Sequence, residues 1–201
     1  MKYLAIDTSS KNLTVLLKTE KELLEHNEVC GVRHSENLMP VIERLIEQGG
    51  LKLSELDFVA CCVGAGSFTG IRIGVSTVKA ICFCNNLPAL AITSFDCLAY
   101  NREQGKVLAV IDAGHNGFYV AGYDNLKVVL QPSYILKEQL LQLQDEYSFI
   151  AEAHIDGLEV EVVDKFNGFK MAIEKKSALK DGNLDNLIPL YVRKSQAEEG
   201  R

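Results

Sequence analysis

No stretch of this 201-residue sequence is apolar for long enough to span a membrane, and its opening residues lack the layout of a signal peptide. The expected setting is therefore cytoplasmic, with no membrane partner. A net charge of −6 does not supply the broad basic surface that binds nucleic acid unaided, though it leaves room for a role beside a partner that makes that contact. No Gly-Lys-Ser/Thr follows the glycines at 64 and 66, which excludes a Walker motif, and their spacing is wrong for the dinucleotide fingerprint. The six cysteines form no CxxC pair, so zinc and dithiol redox chemistry have no signature, and buried free thiols in a reducing compartment are expected. The four histidines (26, 34, 115 and 154) form neither HExxH nor HxxxH, so no metalloprotease pattern is present.

What is present centres on CCVGAGSFTGIRIGVSTVKAICFCN, residues 61–85. It reads as the end of an apolar strand, a turn at Gly64 and Gly66, and a long helix. Free N–H groups at a helix N-terminus can hold an anion, so the turn reads either as a phosphate cradle or, with more weight at this spacing, as a structural strand-to-helix turn. Along the helix, Ile71, Val75, Val78 and Cys82 make one apolar stripe, and Gly70, Gly74, Thr77 and Ile81 make a second of mostly small residues. A helix apolar on two sides is buried on two sides. The second side is open to another chain or to the same domain. Arg72 stands at its edge, suited to a salt bridge or an interface contact.

With 47% hydrophobic and 24% charged residues the chain is an ordinary globular composition, long enough for one domain or two small lobes. Residues 4–6 and 13–17 read as a hairpin around a polar turn that begins at Asp7-Thr8-Ser9. An Asp ending a first strand before hydroxyls is the layout of the first phosphate loop in actin-like ATPases, where Asp carries a magnesium-bound water. Taken alone, an Asx turn closing a hairpin is the stronger reading. Residues 21–29 suggest a third strand. Ser35 is expected to cap a helix carrying Leu38, Val41, Ile42, Leu45 and Ile46, irregular near Pro40 and stopped by Gly49-Gly50. His34 before it reads as a surface or capping residue. A strand at 87–92, a short helix at 95–100 and a polar linker at 101–105 follow. Residues 107–123 then repeat the opening plan of strand, Asp (Asp112), polar turn and strand, which suggests an internal duplication. A helix is expected at 132–143, strands at 147–151 and 158–163, a helix at 166–175, and a last extended segment at 189–193 before a loose charged end.

The ordered set LAIDTS, HSE with LMP, GAGSFTGIRIG, VIDA and PLYVR spans nearly the whole chain and resembles the bacterial TsaB family. The resemblance implies an α/β, actin-like (ribonuclease H-like) two-lobed fold with a reduced second lobe, divided at 1–104 and 105–201. It implies a non-catalytic scaffold or activator of the complex that makes threonylcarbamoyladenosine in tRNA, next to the anticodon. Its partners would be the catalytic subunit TsaD and the ATPase TsaE, with a homodimer in the absence of TsaD and tRNA reached only through the complex. TsaD holds its metal by an HxxxH pair, and the matching positions here are Ser94 and Leu98, so no catalytic or metal-ligating residue carries over. Asp7, Thr8, Ser9, Gly64 and Gly66 would be a vestigial nucleotide loop. No cofactor would be required, with ATP or ADP and magnesium at most weakly held or shared at an interface. The partner interface implied by the two helices is Leu38, Ile42, Leu45, Ile71, Arg72, Val75 and Val78. Ala65 departs from the Pro usual at that place, and Gly114 from the usual Arg. The alternative is a small actin-fold ATPase or kinase that uses Asp7 and the Gly64–Gly66 turn.

Overall fold

The computed structural model describes residues 1–193. By internal contacts the chain divides into two units, Met1–Ile92 with Ile173–Leu190, and Thr93–Ala172 with the segment from Tyr191. Against the expected 1–104 and 105–201, residues 93–104 go with the second unit and 173–190 with the first.

In the first unit, β1 (Tyr3–Asp7), β2 (Asn12–Lys18), β3 (Leu23–Val29), β4 (Phe58–Cys62) and β5 (Ala89–Ile92) form one sheet, ordered β3-β2-β1-β4-β5. β1 pairs antiparallel with β2 and parallel with β4, and β4 pairs parallel with β5. Every residue of β1 and β4 is buried, which is why both read as unbroken apolar runs rather than as an alternation. The helices α1 (His34–Gly49) and α2 (Phe68–Asn85) make the crossovers. Leu38, Ile42 and Leu45 of α1 join Ile71, Val75 and Val78 of α2 in one core with Leu4, Ile6, Val15, Val59 and Cys61. Each such side chain contributes about 1.5–3 kcal/mol of burial. Gly50 ends α1 in the left-handed conformation at φ 60°, as its position after Gly49 suggests. Ser35 is not the cap: α1 starts at His34 after Arg33, which makes no side-chain cap bond, and Ser35 lies exposed in the first turn.

The second unit holds α3 (Ser94–Ala99), β6 (Lys106–Gly114), β7 (Gly117–Asp124), β8 (Lys127–Leu136), α4 (Lys137–Leu141), β9 (Ser148–Ala151) and β10 (Glu161–Val162). The helix α5 (Lys165–Lys176) begins in it. Its sheet runs β10-β9-β6-β7-β8, the order of the first sheet repeated, with the same antiparallel and parallel pairings. The helix expected at 132–143 is a correction. Residues up to Leu136 are a ten-residue edge strand, and only Lys137–Leu141 is helical. Pro132 falls where the β7–β8 register shifts between Val120↔Ser133 and Gly122↔Leu130. A bulge on an edge strand asks no ladder N–H of it. The strand expected at 158–163 shrinks to the two residues of β10.

At the end of the described chain, the Leu190 N–H donates to the Val63 carbonyl at 2.7 Å, and the Arg193 guanidinium lies 4.8 Å from the Tyr134 ring centre. The expected charged end after Arg193 lies outside the described residues. Among those residues no helix is long and apolar enough to cross a membrane.

Candidate functional site

The turn after β1 carries the candidate loop. Asp7, Thr8 and Ser9 are all buried. The Asp7 Oδ1 accepts from the Ser9 N–H at 2.7 Å, an Asx turn. The Thr8 hydroxyl donates to the Gly70 carbonyl at 2.7 Å, and Ser9 Oγ lies 3.5 Å from Cys62 Sγ. The glycines of the central stretch fit against this turn. A Cβ on Gly66 would run into the Ser9 carbonyl, one on Gly70 into the Thr8 carbonyl, and one on Gly74 into the Thr8 hydroxyl. The small-residue stripe of α2 is therefore spent on the first loop of its own unit, not on another chain. Sequence periodicity marked those glycines as permitting close approach, but not what approaches.

Part of the polar surface that an anion would use here is engaged within the unit. Ser67 caps α2, its Oγ accepting from the Gly70 N–H at 3.2 Å, while the Ser67 N–H donates to the Ser9 carbonyl at 2.7 Å. The structure brings Asp7, Thr8, Ser9 and Gly66 together around the start of α2. Gly64, at φ 111°, instead turns toward Ile71 and the Leu190 carbonyl. A phosphate at this loop would compete with these bonds for the Thr8 hydroxyl and the Ser9, Ser67 and Gly70 N–H groups. Under it, burial pushes the Cys61 thiol well up, with Cys62 and Asp7 adding to the effect, and burial pushes Cys82 up to about 11. These two thiols are structural rather than nucleophilic. All six cysteines are free, but the expectation of burial fails for Cys84, which is exposed, and for Cys30, which is half-buried.

Six of the seven interface candidates (Leu38, Ile42, Leu45, Ile71, Val75 and Val78) lie in the core of their own unit and present no surface. Only Arg72 is exposed, with its guanidinium 5.2 Å from the Phe68 ring centre. The open side of α2 is instead Thr69, Arg72, Ser76, Ala80 and Phe83, with Phe83 at 81% exposure. An apolar stripe in a sequence identifies a buried side without naming its partner, and here the sheet takes it. His34 also departs from expectation. It is buried, with its Nε2 3.2 Å from the Asn12 carbonyl, and ties α1 to β2.

In the second unit the two positions matched to a histidine pair, Ser94 and Leu98, are both buried on α3. Between them Asp96 works structurally. Its Oδ2 accepts from the Thr93 N–H at 2.8 Å while Thr93 Oγ1 accepts from the Asp96 N–H at 3.0 Å, a reciprocal capping box. Its Oδ1 accepts the Tyr123 hydroxyl at 3.1 Å. Burial, and then the Asp96 carboxylate, push the Tyr123 phenol far up. The Thr93-x-x-Asp96 spacing was a readable signal for this cap; the Tyr123 partner was not. Asp112, the counterpart of Asp7, accepts the Gly114 N–H at 2.7 Å in an exposed turn.

Two mixed sheets of one strand order, with a buried aspartate ending the first strand beneath a glycine-rich turn, define an α/β protein of the actin-like class. A family model described as "TsaD: tRNA N6-adenosine threonylcarbamoyltransferase" matches residues 25–194. The protein "tRNA threonylcarbamoyladenosine biosynthesis protein TsaB" of Escherichia coli is 29% identical over 161 residues, 73% of this chain and 69% of that one. The protein of the same name from Bacillus subtilis is 25% identical over 227 residues, 98% of this chain and 96% of that one. The solved structure of YeaZ from Pseudomonas aeruginosa aligns with a TM-score of 0.78 at 23% identity, over 94% of this chain and 99% of that one, a likeness of fold. The chain belongs to the threonylcarbamoyltransferase family of that model, on the side of its TsaB relatives. Membership supports a role in tRNA threonylcarbamoyladenosine biosynthesis.

Proposed function

We propose that the chain is a non-catalytic subunit of the machinery that makes threonylcarbamoyladenosine in tRNA, working in the cytoplasm. It binds the TsaD-type catalytic subunit, together with TsaE, and raises the transfer of the threonylcarbamoyl group to the adenosine beside the anticodon. Without that partner it pairs with itself through the same face. tRNA is reached through the complex. The chain requires no cofactor of its own, and any ATP or ADP with magnesium is weakly held or shared with a partner.

The observation that carries this reading is Leu98. Where the resemblance puts the second histidine of a metal pair, an aliphatic side chain is packed in the interior, and it offers no lone pair to an ion. The first loop points the same way, because the Thr8 hydroxyl and the Ser9, Ser67 and Gly70 N–H groups are engaged within the unit. For docking, the outer side of α2 is the better candidate surface than the buried stripes. It carries small residues and one nearly fully exposed phenylalanine, and a large aromatic standing in solvent is the kind of side chain that anchors interfaces. Light scattering of the chain alone and mixed with TsaD from the same organism tests the reading. A homodimer that gives way to a heterodimer, and a Phe83→Glu variant that stays folded but loses the heterodimer, are expected. A homodimer untouched by TsaD, or threonylcarbamoyl transfer by the chain alone, overturns it.

A further inference from the structure

A cleft of about 360 Å³ opens in the first unit between the edge strand β3 and α1. Val29 and Pro40 supply its accessible apolar side, over the buried Leu13 and Val41, and His26, Arg33, Asn37 and Arg44 line it with N–H donors. The volume falls within the range of small-molecule sites, and an apolar wall with a few convergent polar groups is their usual make-up.

The polar groups are arranged rather than scattered. Arg44 Nη2 donates to His26 Nδ1 at 3.0 Å, which leaves the imidazole proton on Nε2. Partial burial lowers the His26 pKa, against the pull of Glu28 and with the help of Arg44, so the ring stays the neutral acceptor this bond requires. Asn37 Nδ2 donates one N–H to Cys30 Sγ at 3.2 Å and keeps a second. The Arg33 guanidinium has no hydrogen-bond or ion-pair partner among the described residues, so all five of its donors are uncommitted. The one opposing charge in the lining is Glu28, 3.8 Å from His26 Nδ1, whose side chain is 76% exposed and can swing into solvent.

We propose that this cleft is a binding site for a small organic anion, a phosphate or carboxylate on a compact apolar body. Arg33 and Arg44 clamp the anion, and Val29 and Pro40 take the body. A planar guanidinium matches either anion with two parallel hydrogen bonds, which an ammonium does not. The chain as a whole is acidic, so general charge does not draw anions to it, and binding at this place would have to come from the local donors.

The full chain is titrated with inorganic phosphate, phenyl phosphate and benzoate, followed by the NMR signals of the His26 ring, the Asn37 amide and the arginine side chains. Saturable shifts confined to these groups are expected. Phenyl phosphate or benzoate should bind about tenfold tighter than inorganic phosphate, and the tighter of the two names the anion. Arg33→Gln should weaken binding about tenfold or more without disturbing the fold, since that exposed side chain has no hydrogen bond or ion pair among the described residues to lose. Glu28→Gln should tighten it by about threefold. Shifts that never saturate, or binding unchanged in Arg33→Gln, overturn the proposal.

Discussion

The two sheets share one strand order, and each opens with a strand, an aspartate and a turn back into its neighbour. Locally the two turns make the same bond, the N–H two residues on donating to Asp7 Oδ1 in one and to Asp112 Oδ1 in the other, both at 2.7 Å. Everything around them differs. Asp7 is buried beneath the glycines of an eighteen-residue α2, whereas Asp112 stands in solvent. Where the first unit has α1 and α2 as crossovers, the second has the five-residue α4 and, between β9 and β10, no helix among the described residues. The comparison teaches that a duplicated backbone plan keeps its turn chemistry with ease. What a turn comes to mean depends on which helix is long enough to cover it.

The sharpest way to break this comparison is at the glycines. Gly70→Ala should cost about 3–5 kcal/mol in urea unfolding, because its Cβ meets the Thr8 backbone, which cannot step aside as a flexible side chain would. Gly114→Ala at the second turn, with open space around it but φ at 75°, should cost only about 1 kcal/mol. Equal losses would mean that the first turn is not held by α2. Next in size are the aspartates. Asp7→Ala should cost about 2 kcal/mol, since it leaves a buried amide without its acceptor, while Asp112→Ala should stay within about 0.5 kcal/mol because water replaces the carboxylate.

A further effect is one of pH. Tyr3 stacks on Phe58 with ring centres 5.2 Å apart, and burial, followed by the charges of Glu174 and Glu25, raises its phenol from 10.0 to about 12. A raised acid keeps its proton in the folded chain after the unfolded chain has lost it. This term is therefore constant below about pH 10, and stability then falls by about 1.4 kcal/mol per pH unit up to about pH 12. Unfolding midpoints measured across that window should fall less steeply in Tyr3→Phe. An identical fall in both would remove Tyr3 from the account.

Much of the fold was readable from local pattern. The unbroken apolar runs of β1 and β4, the helix stop at Gly50, the linker before β6 and the repeated strand-Asp-strand plan all came from spacing and turn chemistry. β8 did not. Pro132 before an apolar stretch reads as a helix start, and only pairing with β7 makes it a bulge on an edge strand. The site was readable by composition but not by neighbourhood. Asp7, Thr8, Ser9 and Gly66 do meet, yet Gly70 and Gly74, which close them in, were read only as a helix face of unknown partner. Nothing in the sequence signalled the cleft at Arg33 and Arg44, because its donors come from β3, α1 and the connector between them, and only packing puts His26 beside Arg44.

Local pattern along the chain set most of the elements, the family resemblance and the want of histidine at 94 and 98, because periodicity, turn residues and ordered motifs are properties of neighbours along the chain. Tertiary structure alone decided which apolar stripe is core and which side of α2 is left open. It also decided that one aspartate turn is sealed and its twin exposed. Those are choices between partners distant in sequence, and steric fit across the packed interface, not local preference, makes them.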